Sequence, residues 1–342
     1  MKRRDFLKNS AMAVGAGIVV SPLFAQEGPP PPKFISNSGD PAASHLTCYP
    51  DTENGKHQLY QLWIRKNNTV LTSYRAHRTQ KYPFFYPVAG PISGLSLTAE
   101  TSMPWPHHRS LFFGMDRVNG GNYWQDNLTR GQIISQGPSF AKDAAGKYKI
   151  DDVSVEIIDQ CLWRQGDADP IIEDSRKFLV KVLDEKRYMI DANIVIKALT
   201  KVTAQKSNHG LFGVRCAPDL APTGGGVLVN ADGIEGEKQT LGKPSRWMAF
   251  YGRRAGPTEN IVEGIAVFCP SKSPHPLFDN CPWFTRDYGN CSPMPMNWFP
   301  NGKSLELAEG EELKLRYRVV AFAGTPKDAD LDGLWTEFDK AG

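Results

Sequence analysis

The chain has 342 residues, 23 % of them charged and 11 % aromatic, and a formal net charge of +3. The first 25 residues carry Lys2, Arg3, Arg4 and Lys8 against Asp5, so the rest of the chain is neutral overall and lacks the cationic footprint selected by nucleic acid or an anionic membrane. Six cysteines are too few for a disulfide scaffold, and nothing after the leader approaches the ~18 apolar residues of a membrane span.

In chain order, Lys2 to Lys8 is a basic segment with the twin-arginine pattern. An apolar run, Ala11 to Val20, and a cleavage site at Leu23-Phe24-Ala25 follow. Residues 1–25 are therefore expected to be a twin-arginine signal peptide delivering a folded protein to the periplasm or outside. Four consecutive prolines, Pro29 to Pro32, open a linker expected over 26–50, and 51–342 is expected to form a single β domain. Leu59–Ile64 and Thr69–Tyr74 flank the turn Arg65-Lys66-Asn67-Asn68 as a hairpin, followed by short strands at Phe84–Val88 and Leu95–Thr98.

Val153–Ile158, Phe178–Leu183, Tyr188–Leu199 and Leu211–Arg215 predict a sheet meander, with Asp184 to Arg187 at a solvated tip. Gly224-Gly225-Gly226 is not a phosphate loop, because a strand rather than Lys-Ser/Thr and a helix follows it. Cys281 and Cys291 flank a loop rich in Pro, Trp and Asn; they could close it as a disulfide or pack as buried thiols. Ser304 to Phe322 alternates about Glu309-Gly310 as a hairpin, and Leu331, Leu334, Trp335 and Phe338 predict a terminal helix. The fold class is all-β: a large antiparallel β-sandwich with a short C-terminal helix.

Four segments hold the candidate chemistry. His107-His108-Arg109 leads to Asp116, Asn119, Tyr123 and Trp124; as neighbours in an extended segment, the two histidines point to opposite faces. His209 and Arg215, six residues apart, share one strand face. Glu235 and Glu237 read as surface groups, and Trp283-Phe284-Thr285-Arg286-Asp287-Tyr288 runs on to Asn297. This mixture of aromatics, arginines, amides and histidines suits a neutral polyol handled by acid/base chemistry.

These motifs resemble those of a large bacterial family of unknown function labelled "methane oxygenase PmoA", over roughly Gln58 to Phe322. They comprise His107 to Phe113, Val118-Asn119-Gly120 with Trp124, Gly224-Gly225 with Asn230 and Gly233, and Trp283 to Gly289 with Asn297. A membrane oxygenase subunit would need several spanning helices, which this chain lacks after its leader. The resemblance instead implies a sandwich similar to the galactose-mutarotase supersandwich and a small-molecule carbohydrate as partner. Ser110 where members commonly carry Gly, and Met296-Asn297-Trp298 where they carry Asn-Pro, imply a difference in substrate.

The expected roles follow. His107 or His108 and His209 carry protons; Arg109, Arg215 and Arg286 orient hydroxyls or an oxyanion; Asp287 or Tyr288 assists. Asn119, Trp124, Trp283 and Asn297 complete the substrate contacts. The reaction is left open among epimerase, lyase and hydrolase, the alternative being carbohydrate binding without turnover. No cofactor is predicted; a divalent metal on His107 or His108, His209 and a carboxylate is the remaining reading.

Overall fold

Alternation of apolar and polar side chains dictates most of the architecture, and it is strictest in the middle of the chain. The computed structural model describes residues 33–36, 46–51, 58–125, 127–256, 260–296 and 302–341; the twin-arginine segment, most of the expected linker and Asn297 lie outside them. In chain order the strands begin with β1 (Ile35–Ser36), β2 (Leu46–Asp51), β3 (Leu59–Lys66), β4 (Thr69–His77), β5 (Phe84–Val88), β6 (Leu111–Met115), β7 (Gln132–Ser135) and β8 (Ser139–Phe140). Then come β9 (Ser154–Arg164), β10 (Ile172–Asp184), β11 (Arg187–Ala198), β12 (Val202–Ala204), β13 (Gly210–Arg215) and β14 (Val227–Asn230). The short helix α1 (Glu237–Thr240) precedes β15 (Trp247–Arg253), β16 (Val262–Phe268), β17 (Trp283–Arg286), β18 (Asn290–Pro293), β19 (Leu305–Leu307), β20 (Glu312–Ala323) and the terminal helix α2 (Leu331–Lys340).

Two nine-stranded antiparallel sheets result. The first runs β1-β2-β3-β4-β5-β6-β13-β18-β17; the second runs β14-β15-β16-β20-β11-β10-β9-β7, with β8 also on β9. Their inner faces meet through aromatic pairs that bridge the sheets: Phe113 with Trp163 (6.0 Å), Phe85 with Phe178 (4.9 Å) and Phe212 with Tyr317 (4.9 Å). Along β9, Val155, Ile157, Cys161 and Trp163 point inward on every second residue, as a strand facing a core requires. The expected antiparallel sandwich with a terminal helix is what forms. Asp330 caps α2 by accepting from Gly333 N at 3.2 Å, and Leu331, Leu334 and Phe338 bury against the outward faces of β16 and β20, each contributing about 1.5–3 kcal/mol.

Three local expectations change. β1 and β2 already pair within the segment read as linker, so strand structure begins before residue 51. The Ser304–Phe322 segment does turn at Gly310, but β19 pairs with β12 while β20 lies between β11 and β16, so the two arms enter different sheets. All six cysteines are buried free thiols. The register Trp283↔Pro293 and Thr285↔Cys291 leaves Cys281 four positions along the ladder from Cys291. At 3.3 Å per residue that is roughly 13 Å, about twice what a disulfide spans.

Candidate functional site

The first sheet carries the candidate chemistry on the face turned away from the core. Cross-strand partners share a face, and the registers Phe84↔Phe112, Phe112↔Gly213, Arg215↔Asn290 and Asn290↔Arg286 line these residues up across β5, β6, β13, β18 and β17. Gly213 lies beneath the rings: a Cβ there would stand 2.9 Å from Phe112 and 3.3 Å from Trp124. The chain enters β6 through Ser110, which has a φ of 55° and donates its hydroxyl to Thr98 Oγ1 at 2.7 Å. That turn delivers His108 to the rings of Phe112 (6.1 Å), Trp124 (5.9 Å) and Tyr288 (6.2 Å).

His108 is 2 % exposed, and neither ring nitrogen has a hydrogen-bond partner among the described residues. Burial first, then the neighbouring His107, Arg215 and His209, push its pKa down to about 2, so the ring is neutral. The His107 ring lies 4.5 Å from that of His108 and 6.5 Å from that of His209. The ring of Trp105, 47 % exposed, lies 5.9 Å from that of His107.

His209 rests on Trp124 at 5.8 Å, with Nδ1 3.2 Å from Asp116 Oδ2. Burial alone would raise the Asp116 pKa, but the hydrogen bond and charge of His209, with the Arg117 N–H, bring it below the ordinary value. An ionised carboxylate only accepts, so His209 donates to it from Nδ1, and in the neutral ring the lone pair then lies on Nε2.

Arg215, also 2 % exposed, lies over the Tyr288 ring at 4.7 Å and donates from Nη2 to Met103 O at 2.7 Å. Among the described residues its Nε and Nη1 have no partner, nor do the two amide atoms of Asn290 and the hydroxyl of Ser292. The Tyr288 pKa is pushed up to about 12 by burial, against the lowering effect of Arg286 and Arg215.

The structure thus brings together His107, His108, Trp124, His209, Arg215 and Tyr288, with Arg286 at the edge, where its Nη1 donates to Glu237 Oε1 at 3.0 Å. Other expected site residues hold the scaffold. Arg109 faces Glu100 at 3.9 Å over the Phe84 ring. Asn119 ties the turn to Lys201 O and Thr203 N, each at 2.8 Å. Trp283 is fully buried and donates to Ser245 O, and Asp287 accepts from Glu237 N at the start of α1.

Sequence reasoning gave no role to Asp116, Trp105, Asn290 or Ser292. Asp116 and Trp105 lay in the histidine-bearing stretch, but Asn290 is reached only through the β17–β18 register. Among the described residues, no group of three or more His, Cys, Asp or Glu is placed to hold a metal ion, and no helix is long and apolar enough to cross a membrane. Two clefts beside α2, of about 540 and 480 Å³, have no histidine in their lining.

Residues 61–336, which include this whole cluster, match a single family pattern. The chain belongs to the family of unknown function DUF6807. That description of DUF6807 names no reaction, methane oxidation included. No protein of curated function matches the sequence.

Among solved structures, this DUF6807 chain is similar to an α-galactosidase from Lactobacillus brevis, with 8 % identity, a TM-score of 0.35, and 77 % of this chain and 38 % of that one covered. The chain thus spans about four-tenths of that enzyme's length. It is also similar to a galactose mutarotase related enzyme from Lactobacillus acidophilus, with 7 % identity, a TM-score of 0.31, and 78 % and 95 % covered. An aldose epimerase homologue from C. elegans matches with 8 % identity, a TM-score of 0.31, and 79 % and 96 % covered.

Proposed function

We propose that this chain is an exported carbohydrate-active enzyme that moves a proton beside a sugar carbonyl or anomeric carbon, as an epimerase, lyase or hydrolase does on a sugar or oxidised sugar derivative. One observation carries the reading: a histidine oriented by a carboxylate, His209 on Asp116 at 3.2 Å, stands in one ring cluster with a buried histidine that has no partner for either nitrogen. Buried polar atoms are normally bonded, so His108 is set to meet a group from a ligand.

In this reading His209 takes the proton on Nε2, and Asp116 holds the ring and stabilises the imidazolium that forms. His108, neutral, bonds a ligand oxygen without adding charge. Trp105 supplies an open aromatic face for sugar C–H groups, while Asn290 and Ser292 offer donors and acceptors to hydroxyls. Tyr288, its pKa held high, keeps its proton and serves as a donor.

The test is a thermal-shift screen of neutral, oxidised and acidic sugars, because a ligand of the native state alone raises the melting temperature. It is followed by turnover of each hit against pH. A bell-shaped profile and a loss of about 10²–10⁴-fold in kcat for His209→Ala are expected, with a smaller loss for Asp116→Asn. Turnover unchanged in His209→Ala removes His209 from the chemistry. Binding that varies little between about pH 5 and 8 without turnover would make the protein a carbohydrate binder instead.

A further inference from the structure

Four arginines among the described residues are 7 % exposed or less, and three of them are neutralised in place. Arg176 bonds Asp174 through Nε at 2.6 Å and Nη2 at 2.8 Å; Arg318 bonds Asp191 at 2.6 and 2.8 Å; and Arg254 bonds Asp219 at 2.9 Å and Glu263 at 3.3 Å. The fourth, Arg215, has no carboxylate partner among the described residues. Its bonding partner is the Met103 carbonyl, and its Nε and Nη1 are buried and unbonded. Burying an unpaired cation is costly, and proteins normally avoid it by pairing. Among the described residues nothing supplies the missing partner.

Its surroundings define that partner. The register puts Asn290 directly beside Arg215, with both amide atoms buried and unbonded, and Arg286 beyond it on the same face. Nε–H and Nη1–H lie on different edges of a guanidinium whose Nη2 bonds Met103 O, so each offers a single bond; one of them, with the amide donor of Asn290 beside it, matches the two oxygens of a carboxylate. The same sheet face continues in the same character. Arg75 stacks on Tyr86 at 5.0 Å and Arg109 on Phe84 at 5.8 Å, and those two cations share the single carboxylate of Glu100.

We propose that the ligand is an acidic sugar whose carboxylate is bound by Arg215 and Asn290 while its ring lies toward His107 and His209. This rests on the carbohydrate reading above and narrows it from sugars at large to uronic or aldonic acids.

The experiment is calorimetric titration at low salt with matched pairs: D-galacturonate against D-galactose and D-glucuronate against D-glucose, on wild type, Arg215→Gln and Arg215→Lys. At least one uronate is expected to bind ten-fold or more tighter than its neutral partner. Arg215→Gln should bring that ratio close to one, and Arg215→Lys should keep part of it, having the charge without the planar set of donors. Because the cation is unpaired without ligand, Arg215→Gln should melt within about 2 °C of wild type, which separates lost binding from lost folding.

Equal or tighter binding of the neutral sugars overturns the acidic-ligand inference and leaves the carbohydrate reading standing. A uronate preference that survives Arg215→Gln overturns the assignment to Arg215. Failure of all four sugars to bind overturns both.

Discussion

Two buried polar clusters, one between the sheets and one on the outer face of the first sheet, use similar residues to opposite ends. Between the sheets every main group is answered. Asp174 takes two bonds from Arg176 and one from Trp163 Nε1 at 2.5 Å, and Asp159 takes Tyr74 OH at 2.8 Å and Ser135 Oγ at 2.6 Å. On the outer face, His108, Arg215 and Asn290 are as deeply buried and keep six ring, guanidinium and amide atoms unbonded among the described residues. The first cluster is complete without a ligand and therefore belongs to the fold. The second is incomplete among the described residues, and in the proposal above a ligand supplies the other half.

The comparison breaks most sharply at the carboxylates. Asp174→Ala strands Arg176, fully buried, without its counter-charge and should cost about 3–5 kcal/mol in urea unfolding. Arg215→Gln gives up one bond to Met103 O, on a residue 77 % exposed, and the contact with the Tyr288 ring, but it also removes a buried cation that has no counter-charge among the described residues; the opposing effects should leave stability changed by about 1 kcal/mol or less. Similar losses in the two variants would mean that Arg215 is as much a part of the framework as Arg176.

The same division marks what the sequence makes legible. The strict alternation of β9, β10 and β11, the three-and-four spacing of Leu331, Leu334 and Phe338, and the even separation of His209 from Arg215 are local patterns, and each places its side chains on one face. Partners across strands are not local. Glu309-Gly310 announces a chain reversal but not that β19 departs to β12, and nothing within a few residues of Asn290 tells that Arg215 lies beside it. Asn119 and Asp287 carry the same chemical groups as a binding residue, yet their side chains bond the backbone of nearby loops, which composition cannot distinguish from ligand contact. Scaffold and site use one alphabet, and register decides which letter does which.

A smaller effect tests whether the outer cluster is rigidly held. Gly213→Ala would set a methyl 2.9 Å from Phe112 and 3.3 Å from Trp124, and because these rings carry His108 and His209 they must shift together. Overpacking of this kind costs roughly 1–3 kcal/mol. The further expectation is loss of sugar-induced thermal stabilisation out of proportion to that cost. A variant of wild-type stability and ligand response would show that the rings have slack.

The subtlest test is the pH dependence of stability, because it reads the unpaired state of His108 without any ligand. Its folded pKa is depressed to about 2 from an ordinary 6.5, chiefly by burial, so below pH 6.5 the unfolded chain binds a proton that the folded chain refuses. The stability associated with this group is intact above pH 6.5 and drains away as pH falls toward 2, at about 1.4 kcal/mol per unit. Asp159 opposes it: its pKa, raised to about 6 chiefly by burial, makes stability increase as pH falls through that value. The net slope of wild type therefore hides both groups. The difference between wild type and His108→Phe isolates the histidine, since Asp159 is common to both. Urea unfolding of the pair at about pH 7, 6 and 5 should show the Phe variant gaining on wild type by close to that slope once below pH 6.5. Parallel curves would mean that His108 takes up its proton in the folded chain, and the ring would then bring a charge to the ligand instead of a neutral hydrogen bond.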